Sequence, residues 1–166
     1  MNEQNYSCQI GANFTAKEAF DAINHVSEWW TTDLTGSSGS LNDIFTVRFS
    51  DTSVTFKIVE AVPNKKIVCL VTDCYLHWLK DKKEWIGTRL NWEISAEKGS
   101  TLISFTHIGL VPELECFNDC KEGWNFHIGK SLFKLLTEQK GIPDINTRTE
   151  NINQSGPLSE SRSAIN

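Results

Sequence analysis

The chain has 166 residues, enough for one domain with a real core and too few for two. Apolar residues make up 39% and charged residues 22%, and a net charge of −5 arises from acidic and basic residues that are interspersed. With no basic stripe to neutralise phosphates and no run near the ~20 apolar residues of a membrane span, composition argues against nucleic acid as a partner and against a membrane span. The first residues, Met1 to Tyr6, have neither the positive nor the apolar region of a secretory signal. Together with five cysteines, an odd number, this points to reduced thiols and a cytoplasmic location.

Ser7 to Phe14 alternates weakly and predicts a first strand. Thr15-Ala16-Lys17-Glu18 has the capping-box spacing, and Ala16, Ala19, Phe20 and Ile23 recur at helical spacing to about Asn24. His25 to Trp30 reads as a second short helix or turn, and Gly36-Ser37-Ser38-Gly39-Ser40 as a loop. The period then switches to two. Strands are predicted at Ile44 to Ser50, Ser53 to Val62, Lys66 to Asp73, Trp85 to Ser95 and Thr101 to Gly109, with turns at Pro63-Asn64-Lys65 and Glu97-Lys98-Gly99. With no helix between them, these strands form an antiparallel meander.

Pro112 to about Gln139 reads as a long helix, with Pro112 at a first-turn position, Glu113 and Glu115 at the positive end and Gly141 as its stop. Taking Trp124 as reference, Phe117, Cys120, Ile128 and Leu135 fall within about 40° at ~100° per residue. Leu132 and His127 flank that stripe, whereas Phe126 and Phe133 point nearly the other way, packed under another element, exposed or buried in a homodimer. Residues 144–166 are polar and aperiodic, and predict a disordered or loosely docked tail after a domain spanning 1–143. The order (strand, two short helices, five strands, long helix) is α+β: a curved antiparallel six-stranded sheet with a C-terminal helix across it and a cavity between the two.

Several segments carry a family likeness. They are Val26-Ser27-Glu28-Trp29-Trp30-Thr31, Phe45-Thr46-Val47-Arg48-Phe49, Leu70-Val71-Thr72-Asp73 and Glu84-Trp85-Ile86-Gly87-Thr88. To these add Phe105 to Glu113 as one run, and Gly123-Trp124 with Ser131-Leu132 and Leu135-Leu136. In this order they resemble the SRPBCC (START-like, birch-pollen-allergen-like) helix-grip superfamily, within it the group similar to the activator of the heat-shock ninety-kilodalton chaperone ATPase. The likeness covers about Ser7 to Pro143. It implies a ligand-sized apolar cavity under the last helix, and its members include lipid carriers, hormone receptors and polyketide cyclases, so the fold alone does not fix function.

Alternation puts Ile103, Phe105 and His107 on one face, and His107 precedes the glycine that ends the last strand. A histidine at that corner can orient a polar ligand group, act as acid or base, or bond a backbone carbonyl. Cys116 and Cys120 lie one helical turn apart, but His127 is about 10 Å beyond Cys120 at ~1.5 Å per residue, too far to share an ion, so buried thiols are expected and no metal. A cysteine nucleophile would lack an orienting third group and an oxyanion hole.

These observations predict a binder of a small, largely apolar ligand that needs no cofactor. Trp30, Phe49, Phe56, Phe105 and Trp124 would supply the wall, Cys120 lies on the Trp124 stripe, and His107 and His127 are the polar handles. A chaperone-interacting domain and a cyclase- or hydrolase-type enzyme using His107 are the alternatives.

Overall fold

Thr15 starts the first helix by a reciprocal pair of bonds. Its Oγ1 accepts the Glu18 N–H at 3.0 Å, and Glu18 Oε1 accepts the Thr15 N–H at 2.9 Å. Around this cap the computed structural model, which describes residues 4–145, runs β1 (Tyr6–Ala12), α1 (Ala16–Asn24), α2 (Val26–Trp29) and β2 (Leu34–Gly36). There follow β3 (Ile44–Phe49), β4 (Thr52–Val62), β5 (Lys66–Tyr75), β6 (Arg89–Glu97) and β7 (Ser100–Ile108). The closing helix consists of α3 (Phe117–Phe126), a π turn (His127–Leu132) and α4 (Phe133–Glu138).

The strands form one antiparallel sheet in the order β1-β7-β6-β5-β4-β3-β2. It has seven strands where the sequence predicts six, because the short β2 pairs with β3 at the edge. Gly36 makes that approach possible: at φ +92°, a Cβ there would stand 2.2 Å from the Ile44 carbonyl oxygen. Two register shifts in the β4–β5 pairing, at Thr55/Phe56 and Ile58/Glu60, bend the sheet. The inward faces follow the predicted alternation, with Phe45 and Val47, Val54, Phe56 and Ile58, Leu90 and Trp92, and Ile103, Phe105 and His107 all buried.

Two predicted boundaries move for tertiary reasons. Strand β6 starts at Arg89, not Trp85, because residues 76–88 form a loop of turns that brings Leu76, Leu79 and Trp85 into the core. The closing helix starts at Phe117, not Pro112. The preceding turns are held by Glu84 Oε2, which accepts the Glu115 N–H at 3.2 Å, and by Glu115 Oε1, which accepts the Lys80 N–H at 3.0 Å.

The closing helix also departs from a regular α-helix. Its buried residues are Cys120, Trp124, His127, Ile128, Ser131, Leu132 and Leu136, while the predicted stripe residue Leu135 is only half-buried. In the π turn the Phe133 N–H reaches the carbonyl of Ile128, five residues back, and the widened turn shifts the buried face by one position. Beyond Gln139, at φ +63°, the chain crosses back over α2 as a strap. Ser131 Oγ donates to the Trp29 carbonyl at 2.6 Å and accepts the Ile142 N–H at 2.7 Å. Asp144 N donates to the Trp30 carbonyl at 2.8 Å, and Thr32 N to the Asp144 carbonyl at 2.8 Å. The tail predicted from residue 144 therefore begins docked, and its remainder from 146 lies outside the described residues.

Gly141 is the tightest point of the strap, since a Cβ would lie 2.4 Å from the Glu28 carbonyl oxygen and 3.1 Å from that of Ser131. Gly141→Ala is expected to lower stability by about 1–3 kcal/mol through overpacking. The melting temperature should fall by about 2–4 °C per kcal/mol, measured by calorimetry. An unchanged melting temperature would show that the strap is not held against α2.

Candidate functional site

The inward faces of the sheet and of the closing helix meet in one aromatic seam centred on Trp124. Its ring centroid lies 4.7 Å from Phe105 and 4.9 Å from Trp30, and Trp85 stacks on it at 6.2 Å with a 12° interplanar angle. Trp30 in turn contacts Phe56 at 5.6 Å and Phe49 at 5.8 Å. The predicted wall residues Trp30, Phe49, Phe56, Phe105 and Trp124 are thus contiguous. Their rings lie against one another, and an open cavity predicted among them is not seen between these rings. A small, partly open pocket of about 20 Å³ lies between Trp29, Trp30, Phe45, Trp92 and the first two helices. A void of this size holds about one water. An open groove of about 520 Å³ lies elsewhere, lined by Val62, Lys65, Glu93, Leu102 and Ser104 among others, and touches none of the predicted residues.

His107 sits at the β7 end of the seam with no solvent exposure. The Trp124 Nε1–H can only donate, so at 3.1 Å it requires a lone pair on His107 Nδ1. The proton of the neutral ring is therefore on Nε2 and is donated to Thr88 Oγ1 at 2.8 Å, while Thr88 donates to the Trp85 carbonyl at 2.8 Å. Burial pushes the His107 pKa down to about 3. Both ring nitrogens are committed, so this histidine has no free lone pair for a substrate proton. It is a buried connector between the closing helix and the 76–88 loop. Gly109, at φ +105°, lets the corner close on Thr88, whose Cγ2 would be 2.7 Å from a Cβ there.

Thr88 and Trp85 are the partners that sequence reasoning missed, although both lie in the segment Glu84 to Thr88. Reading that segment as regular strand conceals them, whereas Gly87, at φ +92°, marks the break from strand geometry. Trp85 meets the His107 ring edge-on at 4.6 Å and donates its Nε1–H to Cys116 Sγ at 3.4 Å.

His127 lies at the other end, at the start of the π turn and only 9% exposed. Its ring is flanked by Phe126 at 5.4 Å, Phe49 at 6.0 Å and Trp30 at 6.4 Å. Burial pushes its pKa down to about 4. Its Nδ1 is enclosed and has no hydrogen-bond partner among the described residues. The two polar handles are therefore unequal, one saturated and one vacant.

Cys116 and Cys120 are fully and almost fully buried. The hydrogen bond with Cys116, followed by burial, pushes the Cys120 thiol up, which opposes a nucleophilic thiolate. All five cysteines are free. Among the described residues no group of three or more His, Cys, Asp or Glu side chains could hold a metal ion, and no helix is long and apolar enough to cross a membrane.

No family model matches the chain, and no curated protein is significantly similar to it. Solved structures are. The Aha1 dimer from Colwellia psychrerythraea superposes with a TM-score of 0.69 at 22% identity, covering 83% of this chain and 99% of that one. DynU16, from the dynemicin biosynthetic locus, gives 0.64 at 14% identity over 85% of this chain and 50% of that one. CalU16 from Micromonospora echinospora gives 0.60 at 12% identity over 79% and 73%. These likenesses show the fold: this chain has the helix-grip arrangement, an antiparallel sheet closed by a C-terminal helix.

In this helix-grip chain the grip is closed: the seam ends in two buried neutral imidazoles, each of which charges readily only in the unfolded chain. Their folded pKa values of about 3 and 4 lie below the ordinary 6.5, so below pH 6.5 the unfolded chain binds more protons. Stability present above pH 6.5 is lost as pH falls, by up to about 1.4 kcal/mol per pH unit for each histidine down to its folded pKa. Urea midpoints at pH 7, 6 and 5 should fall accordingly, and His127→Phe should remove about half of the slope. A midpoint constant over that range would contradict two buried neutral rings.

Proposed function

We propose that this protein binds a small, largely apolar ligand between its sheet and closing helix, without catalysing a reaction on it. The observation that carries this reading is that the closing helix leaves α geometry directly over the aromatic seam, in a π turn that begins with His127, whose Nδ1 has no hydrogen-bond partner among the described residues. Single π turns within helices are frequent at functional sites. Trp30, Phe49, Phe56, Phe105 and Trp124 form the wall, with Cys120 buried one turn before Trp124 on the same helix and His127 as the polar end.

The seam is closed in this structure, so the ligand selects or induces a more open arrangement, which it does only by binding that arrangement better. His107 fixes the wall through Trp124 and Thr88. Because its lone pair is occupied, the cyclase- or hydrolase-type use of His107 as a base has no support. An interaction role by self-association draws support from the likeness to the Colwellia dimer and from Phe126, which is 38% exposed on the closing helix.

The ligand-binding reading is tested with naphthalene-sized apolar probes. At a concentration 100-fold above Kd, binding adds about 2.7 kcal/mol. The melting temperature should then rise by about 5–10 °C, with a change in tryptophan fluorescence from the seam. No thermal shift with any probe and no retained molecule in native mass spectrometry would sink it.

A further inference from the structure

The vacant nitrogen of His127 specifies which ligands the seam prefers. The wall around the imidazole is made of rings: Trp30, Phe49 and Phe126 flank it, and none places a polar atom on Nδ1. Leaving a buried polar atom unmatched is costly, and a ligand that matches it recovers part of that cost. The ring is neutral, so one nitrogen carries hydrogen and the other a lone pair. A buried N–H without an acceptor is the less tolerated of the two vacancies, which puts the lone pair on Nδ1 and the proton on Nε2. That is the tautomer His107 also adopts.

We infer that the ligand presents a hydrogen-bond-donating group, a hydroxyl on an apolar ring system, to Nδ1 of His127, entering where Phe49 and Phe126 cover the π turn. This rests on the ligand-binding reading above and narrows it. A carboxylate would bring its lone pairs against that of Nδ1, and an ether or a bare hydrocarbon would leave the nitrogen unmatched. Entry is assigned to that side because Phe49 is half-buried and Phe126 is 38% exposed, whereas Trp30 is 5% exposed.

The experiment compares 2-naphthol, 2-methoxynaphthalene and 2-naphthoate on the full chain by titration calorimetry. One recovered hydrogen bond corresponds to about tenfold, so naphthol should bind about tenfold more tightly than its methyl ether, and naphthoate more weakly than either. In His127→Leu the two neutral probes should bind within about twofold of each other. Because that substitution also alters packing, the wild-type chain labelled with ¹⁵N-histidine provides a second measurement. The His127 Nδ1 resonance should move to a hydrogen-bonded position with naphthol and not with the ether. Equal binding of naphthol and ether to the wild type, or discrimination that survives in His127→Leu, overturns the donor assignment and leaves ligand binding standing. Binding of none of the three probes overturns the ligand-binding reading and the donor assignment together.

Discussion

Everything in the grip depends on one chain of hydrogen bonds from helix to sheet: Trp124 to His107, His107 to Thr88, and Thr88 to the Trp85 carbonyl. Each member is buried or half-buried, so breaking any link leaves a donor or acceptor unmatched where water cannot replace it. The chain fixes three things together: the rotamer of Trp124, the tautomer of His107 and the path of the 76–88 loop under the helix. The aromatic seam then follows, because Phe105 and Trp30 can pack against Trp124 only where its indole is held.

The π turn is the geometric answer to a spacing problem. Cys120, Trp124, Ile128, Leu132 and Leu136 are buried and recur every four residues. An α-helix advances about 40° beyond a full turn in four residues, so over this stretch a regular helix would carry its last apolar residues about 160° off the sheet. Six residues of wider turn, His127 to Leu132, wind part of that drift back and keep Leu132 and Leu136 inside. The strap completes the arrangement. Ser131, inside the π turn, is the residue whose hydroxyl joins the Trp29 carbonyl to the Ile142 N–H, so helix irregularity and strap closure are one local structure.

Features set by neighbouring residues were legible in the sequence, and those set across the fold were not. The Thr15 cap is visible as a four-residue pattern, as are the turns at Asn64 (φ +64°) and Gly99 (φ +70°), where the chain needs a residue tolerant of left-handed backbone. Strand β2 has three residues, too few to show alternation. Pro112 is a good first-turn residue, but the Glu84 and Glu115 carboxylates hold the chain in turns until Phe117. Alternation along β7 placed His107 inward. Its partners come from an irregular loop, so nothing in the pattern distinguished a saturated histidine from an available one. The wall residues were recognisable as aromatic and inward-facing, but whether they surround a space or fill it depends on their rotamers, on which residue identity is silent.

A filled seam limits where it can open. A buried aromatic side chain removes 150–250 Å² from water, and at ~25 cal/mol per Å² expelling one into solvent costs roughly 4–6 kcal/mol, a large part of a typical domain's stability. At the His107 end that cost comes on top of the hydrogen bonds through Trp124 and Thr88. At the π-turn end it is smaller, because Phe126 is already 38% exposed, Phe49 is half-buried, and the His127 ring nitrogen Nδ1 has no bond to break. The two ends of one aromatic cluster therefore have different mechanical characters. The sheet-side end is anchored, and the π-turn end is where a protein ring can be displaced at least cost.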